Sequence, residues 1–264
     1  METGTLLYKA GNLNQAIEAQ LADVKKYPLD PGQRLFLFDL LLFSGDIERA
    51  KRQIEAVKQD SAEEAAGVAM YRQLMESELL RRRLFSDGLA PTFLGDDLPE
   101  HVRHRLEAVN RLREGHAAEA LQEIEKAEQS APALSGEVDG KPFSFFRDCD
   151  DLFSGILEVM AGGQYLWVPL ERVESIRKEP PQTPRDLVYA PATLELKDSA
   201  GPVFLPALYP NSHEHAEDVI RLGRATDWKS LENGPVLGVG LREWLIDDEP
   251  RSFHDWQELR INPS

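Results

Sequence analysis

Gly11-Asn12-Leu13-Asn14-Gln15-Ala16 returns 34 positions later as Gly45-Asp46-Ile47-Glu48-Arg49-Ala50. A 34-residue period is that of tetratricopeptide hairpins, two helices joined by a tight turn. The chemistry fits the spacing. Glycine permits the positive φ that ends a first helix. Asn12 or Asp46 can cap the second, and a small alanine lets the two helices approach closely. Pro28 and Pro31 then mark the break between one hairpin and the next. A third copy, Gly115-His116-Ala117-Ala118-Glu119-Ala120, lies close to two periods further on. Between the copies, Ala62–Phe85 reads as a helix. The stretch after it is rich in turn residues: Ser86-Asp87-Gly88, Pro91 and Gly95-Asp96-Asp97. The spacing predicts TPR-like helical hairpins over residues 1–130.

Around Ala131–Gly140 the character changes to turn chemistry, with Pro132, Ser135-Gly136 and Asp139-Gly140. One more helix is expected at about Cys149–Ala161. Strands are expected at Tyr165–Val168, Arg172–Arg177, Thr193–Lys197 and Val203–Leu208, punctuated by prolines. His213–Arg224 reads as a helix, and Val236–Ile246 and Phe253–Ile261 as extended or mixed. Residues 135–264 are therefore expected to form a compact α+β domain with a curled, largely antiparallel sheet. The chain as a whole reads as α+β.

Composition narrows the function. The chain has 264 residues, 42% hydrophobic and 29% charged, an ordinary globular balance. The densest apolar run, Leu35–Phe43, is broken by Asp39 and falls well short of the roughly 20 residues that span a bilayer. The N-terminus has no basic segment followed by an apolar one, so the expected compartment is the cytoplasm. The net charge is −16, and Arg81-Arg82-Arg83 is the lone basic triplet, on a helix shared with Glu76 and Glu78. Nucleic acid and anionic membranes need clustered cations, so neither is an expected partner.

Several constellations invite chemistry and do not sustain it. His213 and His215, two apart, diverge on a helix, and no third metal ligand stands nearby. The single cysteine, Cys149, sits among Asp148, Asp150 and Asp151, which oppose a thiolate; it reads as a small residue at a helix start. Asp247-Asp248-Glu249 lacks the glycine spacing of a calcium loop. Gly238-Val239-Gly240 lacks the third glycine of a phosphate loop. No catalytic residue, metal or cofactor is expected. Glu171-Arg172 and Arg185-Asp186 suggest an ion-pair network within the sheet domain or a displayed binding surface. Trp167 and Trp228 read as core residues or groove walls.

A set of blocks in the second half resembles the ImpE/TagJ family, also described as SciE-type virulence proteins. They are Asp139-Gly140-Lys141-Pro142-Phe143, Gly163-Gln164-Tyr165-Leu166-Trp167-Val168-Pro169, Glu171-Arg172-Val173, Glu179-Pro180-Pro181 and Arg185-Asp186-Leu187-Val188. Tyr209-Pro210-Asn211-Ser212 and Arg221-Leu222-Gly223-Arg224-Ala225-Thr226-Asp227-Trp228 follow in the family's order. Arg34-Leu35-Phe36-Leu37-Phe38 before Gly45-Asp46 extends the likeness to nearly the whole chain. Phe145-Phe146 and Tyr189-Ala190-Pro191 depart from it. The resemblance implies a non-enzymatic scaffold or adaptor of a bacterial type VI secretion system. Its implied partners are the small subunit of the contractile sheath and the AAA+ unfoldase that recycles it. The repeat-like hairpins suggest a groove for an amphipathic helix, with Arg34, Phe38 and Arg72 as candidate contacts. Trp167, Arg172 and Arg185 are rival candidates in the sheet domain, whose open edge offers strand addition as another mode. The alternatives are a hydrolase or metal enzyme built on the carboxylates and histidines of the second half, or a general peptide-binding chaperone.

Overall fold

The computed structural model describes residues 3–95 and 97–263. Met1, Glu2, Asp96 and Ser264 lie outside them, and with them the extreme ends of the two expected segments and the middle of the Gly95-Asp96-Asp97 turn.

Seven described helices precede the first strand: α1 Thr3–Lys9, α2 Leu13–Lys26, α3 Pro31–Phe43, α4 Ile47–Glu55, α5 Ala62–Asp87, α6 Glu100–Arg113 and α7 Ala117–Ser130. The pairs α1–α2, α3–α4 and α6–α7 pack side by side across short turns. Gly11, Gly45 and Gly115 occupy those turns with φ of 84°, 71° and 82°. Asp46 caps α4 by accepting from Arg49 N at 3.1 Å. Asn12 makes no side-chain cap. Asp218, far along the chain, takes over and accepts from Leu13 N at 2.8 Å. Pro31 occupies the first turn of α3, where its missing N–H costs nothing, and Asp30 caps it through Gly32 N. Ser61 and Glu64 close a capping box on α5.

The strands are β1 Gly136–Val138, β2 Lys141–Phe143, β3 Phe146–Asp148, β4 Ile156–Ala161, β5 Gln164–Pro169, β6 Val173–Lys178, β7 Tyr189–Leu196, β8 Ser199–Pro206, β9 Thr226–Ser230, β10 Val236–Gly240, β11 Glu243–Ile246, β12 Glu249–Ser252 and β13 Glu258–Ile261. Eight form one sheet in the order β2-β1-β13-β6-β7-β8-β4-β5, with antiparallel neighbours throughout. Smaller sheets, β12-β11-β3 and β10-β9, complete an α+β architecture. Period-2 alternation sorts β4. Ile156 and Met160 join a core shared with Leu13, Phe38, Leu74, Val102 and Ile124 of the helices. Leu157 and Val159 face a second core around Trp244, Phe253 and Trp256. One face of the sheet thus carries the helices.

Two expected helices are corrected. Residues 149–155 are turns that lead into β4, not the start of a helix over Cys149–Ala161. Asp148 accepts from Asp150 N, and Asp150 accepts from Leu152 N, each at 2.8 Å. Such local side-chain bonds compete with helix formation. His213–Arg224 contains only a 3-10 turn, Ser212–Glu214, and the four-residue α8, Asp218–Arg221. Here His215 Nδ1 accepts from Glu217 N, which holds the chain extended between the two.

Prolines decide where the sheet is continuous. Ala207 N donates to Val188 O, so odd-numbered residues of β8 face β7 and even-numbered ones face β4. Pro202 and Pro206 have no N–H to give, and Phe204 supplies the single β4–β8 register pair, Met160↔Phe204.

Candidate functional site

The most charged cluster of the second half lies inside the core. Arg81 of α5 makes a two-pronged bond to Glu158 of β4, Nε to Oε1 at 2.7 Å and Nη2 to Oε2 at 2.8 Å, and reaches Leu208 O at 2.9 Å. Arg242 bridges Glu158 and Asp148. Tyr165 donates to Glu158 at 2.6 Å, Trp167 Nε1 donates to the Tyr165 hydroxyl at 2.6 Å, and Tyr209 donates to Asp148 at 2.8 Å. Burial pushes the Glu158 carboxyl up, but Arg81 and Arg242 more than reverse this and leave it below its ordinary value. The network bolts α5 to the sheet and leaves its carboxylates fully engaged.

The residues that carried the resemblance serve similar ties. Arg185 pairs with Asp39 of α3 at 2.8 Å. Glu171 meets His101 of α6 at 2.8 Å. Arg172 donates to Leu94 O at 2.6 Å and also to Asp97 O. Arg224 donates to Tyr8 O at 2.6 Å and Lys9 O at 3.1 Å, closing the end of α1. Glu171, Arg172 and Arg185 therefore reach the helices, Leu94 and Asp97; among the described residues they form no network confined to the sheet domain.

Among the candidate contacts, Phe38 and Trp167 are 0% exposed and present no surface to a partner. Arg34 is half-buried and donates to Pro28 O and Gln53. Arg72 is exposed on α5. The structure does not gather the six at one place, but Phe38 and Arg185 both pack against Tyr71, a residue that lines a groove. Arg185 lies 5.1 Å from the Tyr71 ring centroid and 5.5 Å from that of Phe38. Tyr71 packs on Phe38 at 5.6 Å and on Phe204 at 6.0 Å.

Tyr71 and Phe204 are walls of a mainly apolar groove of about 390 Å³ between α5 and the sheet. Met70, Tyr71 and Leu74 form its helical side, the Gly162-Gly163 turn its end, and Pro191, Pro202 and Val203 its floor. Met70 is 42% exposed there. Sequence reasoning missed Met70 and Phe204, because α5 has no single apolar stripe to show which way it faces. The edges at β2, β12 and β5 fit strand addition poorly. β2 is three residues long and contains Pro142, and β12 contains Pro250. β5 is covered by Thr92, whose N–H donates to Tyr165 O at 2.8 Å and whose carbonyl accepts from Trp167 N at 3.2 Å.

The remaining sites have local roles. His213 packs over Gly45, and His215 lies 3.2 Å from Asp227. Asp247, in the β11–β12 turn, ties it to the β2–β3 connection by accepting from Ser144 N and Phe145 N at 2.9 and 3.0 Å. Burial, reinforced by Asp148, pushes the Cys149 thiol up to about 12. Its alkylation by iodoacetamide at pH 8 is therefore expected to run roughly a thousandfold slower in the folded protein than in urea. Comparable rates would show that the thiol is not held this way.

The family model described as ImpE protein matches residues 140–260. A protein named type VI secretion system accessory component TagJ, from Pseudomonas aeruginosa, is 36% identical over 261 residues, covering 98% of this chain and 90% of that one. The X-ray crystal structure of protein VPA1032 from Vibrio parahaemolyticus matches with a TM-score of 0.90 at 23% identity, over 99% of this chain and 98% of that chain. That likeness shows a common fold.

Proposed function

The chain belongs to the ImpE family, and on that premise we propose that it is a non-enzymatic accessory of a type VI secretion system that binds a helix of the small sheath subunit. The observation that carries this reading is the 36% identity to the TagJ accessory component along 98% of the chain. The protein works in the cytoplasm, where it links the sheath subunit to the AAA+ unfoldase; no helix among the described residues is long and apolar enough to cross a membrane. Binding is favoured over catalysis because Glu158, Asp148 and Asp150 are engaged by Arg81, Arg242 and backbone donors inside the core.

The α5–sheet groove is the docking place. Its helical wall from Met70 to Ser77 extends about 10 Å, enough for anchors at i, i+3 or i+4, and i+7 of a ligand helix. Proline at β8 position 202 leaves no donor for an added strand and favours a helix there. Arg72 stands exposed on the same helix but is not among the residues that line the groove, so it contributes little to docking there.

Titrating the purified chain with the sheath subunit and with its isolated helix tests this. Met70→Glu and Val203→Glu are each expected to weaken binding about tenfold or more, and Arg72→Ala by less. Unchanged affinity in both glutamate variants would move the site elsewhere. Absence of binding to any sheath component would remove the adaptor reading altogether.

A further inference from the structure

A second cavity, of about 370 Å³, lies between the α6–α7 hairpin and the β9–β10 hairpin. We propose that it captures the apolar C-terminal residue of a polypeptide by its carboxylate. Phe85, Leu112, Phe153 and Leu237 supply its apolar walls, and the buried Asp150 carboxylate also lines it, its oxygens taken by Leu152 N, Phe153 N and Gly238 N. The volume is at the small end of ligand cavities, which run from about 300 to 1,000 Å³, and suits one large side chain with its backbone. Two cations, Arg113 and Lys229, line the same cavity and are exposed to solvent.

Neither cation is neutralised by a carboxylate among the described residues, as holds also for the exposed Arg72, Arg103 and Lys197. Arg81, Arg105, Arg185 and Arg242 have carboxylate partners, and Arg172 and Arg224 are held by carbonyls. Arg113 has only the neutral Asn110 side chain, at 3.3 Å, and Lys229 forms no ion pair among the described residues. Arg113 is also positioned. It lies over Gly88, the left-handed cap of α5 with φ 75°, where any Cβ would overlap the guanidinium. A single carboxylate beside a bulky apolar group complements this arrangement: the charge meets the two cations and the side chain fills the apolar walls. A polyanion does not suit it, since the chain carries −16 overall and repels dense negative charge. A chain terminus presents one carboxylate and one side chain together, a recurring form of peptide recognition.

The site is separate from the α5–sheet groove and stands or falls without it. The test is fluorescence anisotropy on the full chain. The probe is a fluorescein-labelled Gly-Ser-Gly-Ser-Leu-Phe peptide with a free C-terminus, compared with its C-terminal amide. Unlabelled 3-phenylpropionate is the small-acid arm. The free-acid peptide is expected to bind saturably. Amidation, Arg113→Ala and Lys229→Ala should each weaken it about tenfold or more, the scale of one charge-assisted hydrogen bond. Both residues are exposed, so circular dichroism should remain that of the parent. Met70→Glu should leave this affinity unchanged. Equal binding of acid and amide, wild-type affinity in both cation variants, or no saturation up to about 1 mM peptide would overturn the proposal. Binding of 3-phenylpropionate without the peptide would overturn the polypeptide assignment and point to a free small acid.

Discussion

Glu158→Ala is expected to lower stability by about 3–5 kcal/mol, enough to unfold much of the chain at ambient temperature. The carboxylate is 2% exposed and neutralises two buried guanidiniums at once. Without it Arg81 keeps only its longer pairing with Glu78, at 3.6 Å, and Arg242 keeps only Asp148, so two buried guanidiniums share less compensating charge. Glu158→Gln keeps the shape and two acceptor contacts but not the charge, so most of the loss should persist. The comparison is Arg251→Ala, which breaks a surface pair with Glu249 and should cost less than about 0.5 kcal/mol. Urea unfolding followed by circular dichroism reads both. A Glu158→Ala midpoint within error of the parent would mean that the network contributes little to holding α5 on the sheet.

Gly45→Val is expected to cost about 3 kcal/mol or more, the sum of two effects. The first is the left-handed backbone at φ 71°, which a β-branched residue adopts only under strain. The second is overlap of the new side chain with the His213 ring, which packs directly on the glycine. Gly115→Val separates them. Its φ is 82°, with open space where a Cβ would stand, so only the backbone strain of about 1–2 kcal/mol applies. His213→Ala in the Gly45→Val background should recover part of the difference. Equal losses at the two glycines would show that the approach of His213 is not felt.

That pair of glycines also shows what a sequence discloses. The glycine turn and the small alanine lie within six residues, so the three hairpins were legible from Gly11, Gly45 and Gly115 and their spacing, whereas the cap is local only at Asp46, Asp218 taking the place of Asn12. Asp148-Cys149-Asp150-Asp151 was misread because carboxylates at a helix start and carboxylates that wind a turn have the same composition. The distinction rests on which N–H each carboxylate meets, Asp150 and Leu152 here. The charges of Glu171, Arg172 and Arg185 stood out in the sequence, but their partners did not. Arg185 finds Asp39 and Glu171 finds His101, pairings that depend on how the helices lie on the sheet. Neither candidate cavity was legible, for the same reason. Met70 with Phe204, and Arg113 with Lys229, become neighbours only after α5 to α7 have docked.

The ties that cross from helices to sheet have a consequence for how such a chain can change over generations. Asp218 caps α2 and Arg224 closes α1, although more than 200 positions separate each from its partner. A crossover that joined the helices of one relative to the sheet of another would break these matches together with Arg81–Glu158 and Arg185–Asp39. The helices and the sheet are therefore expected to diverge together. Substitutions at either end are filtered by the other, so divergence should gather at exposed positions that join none of these ties.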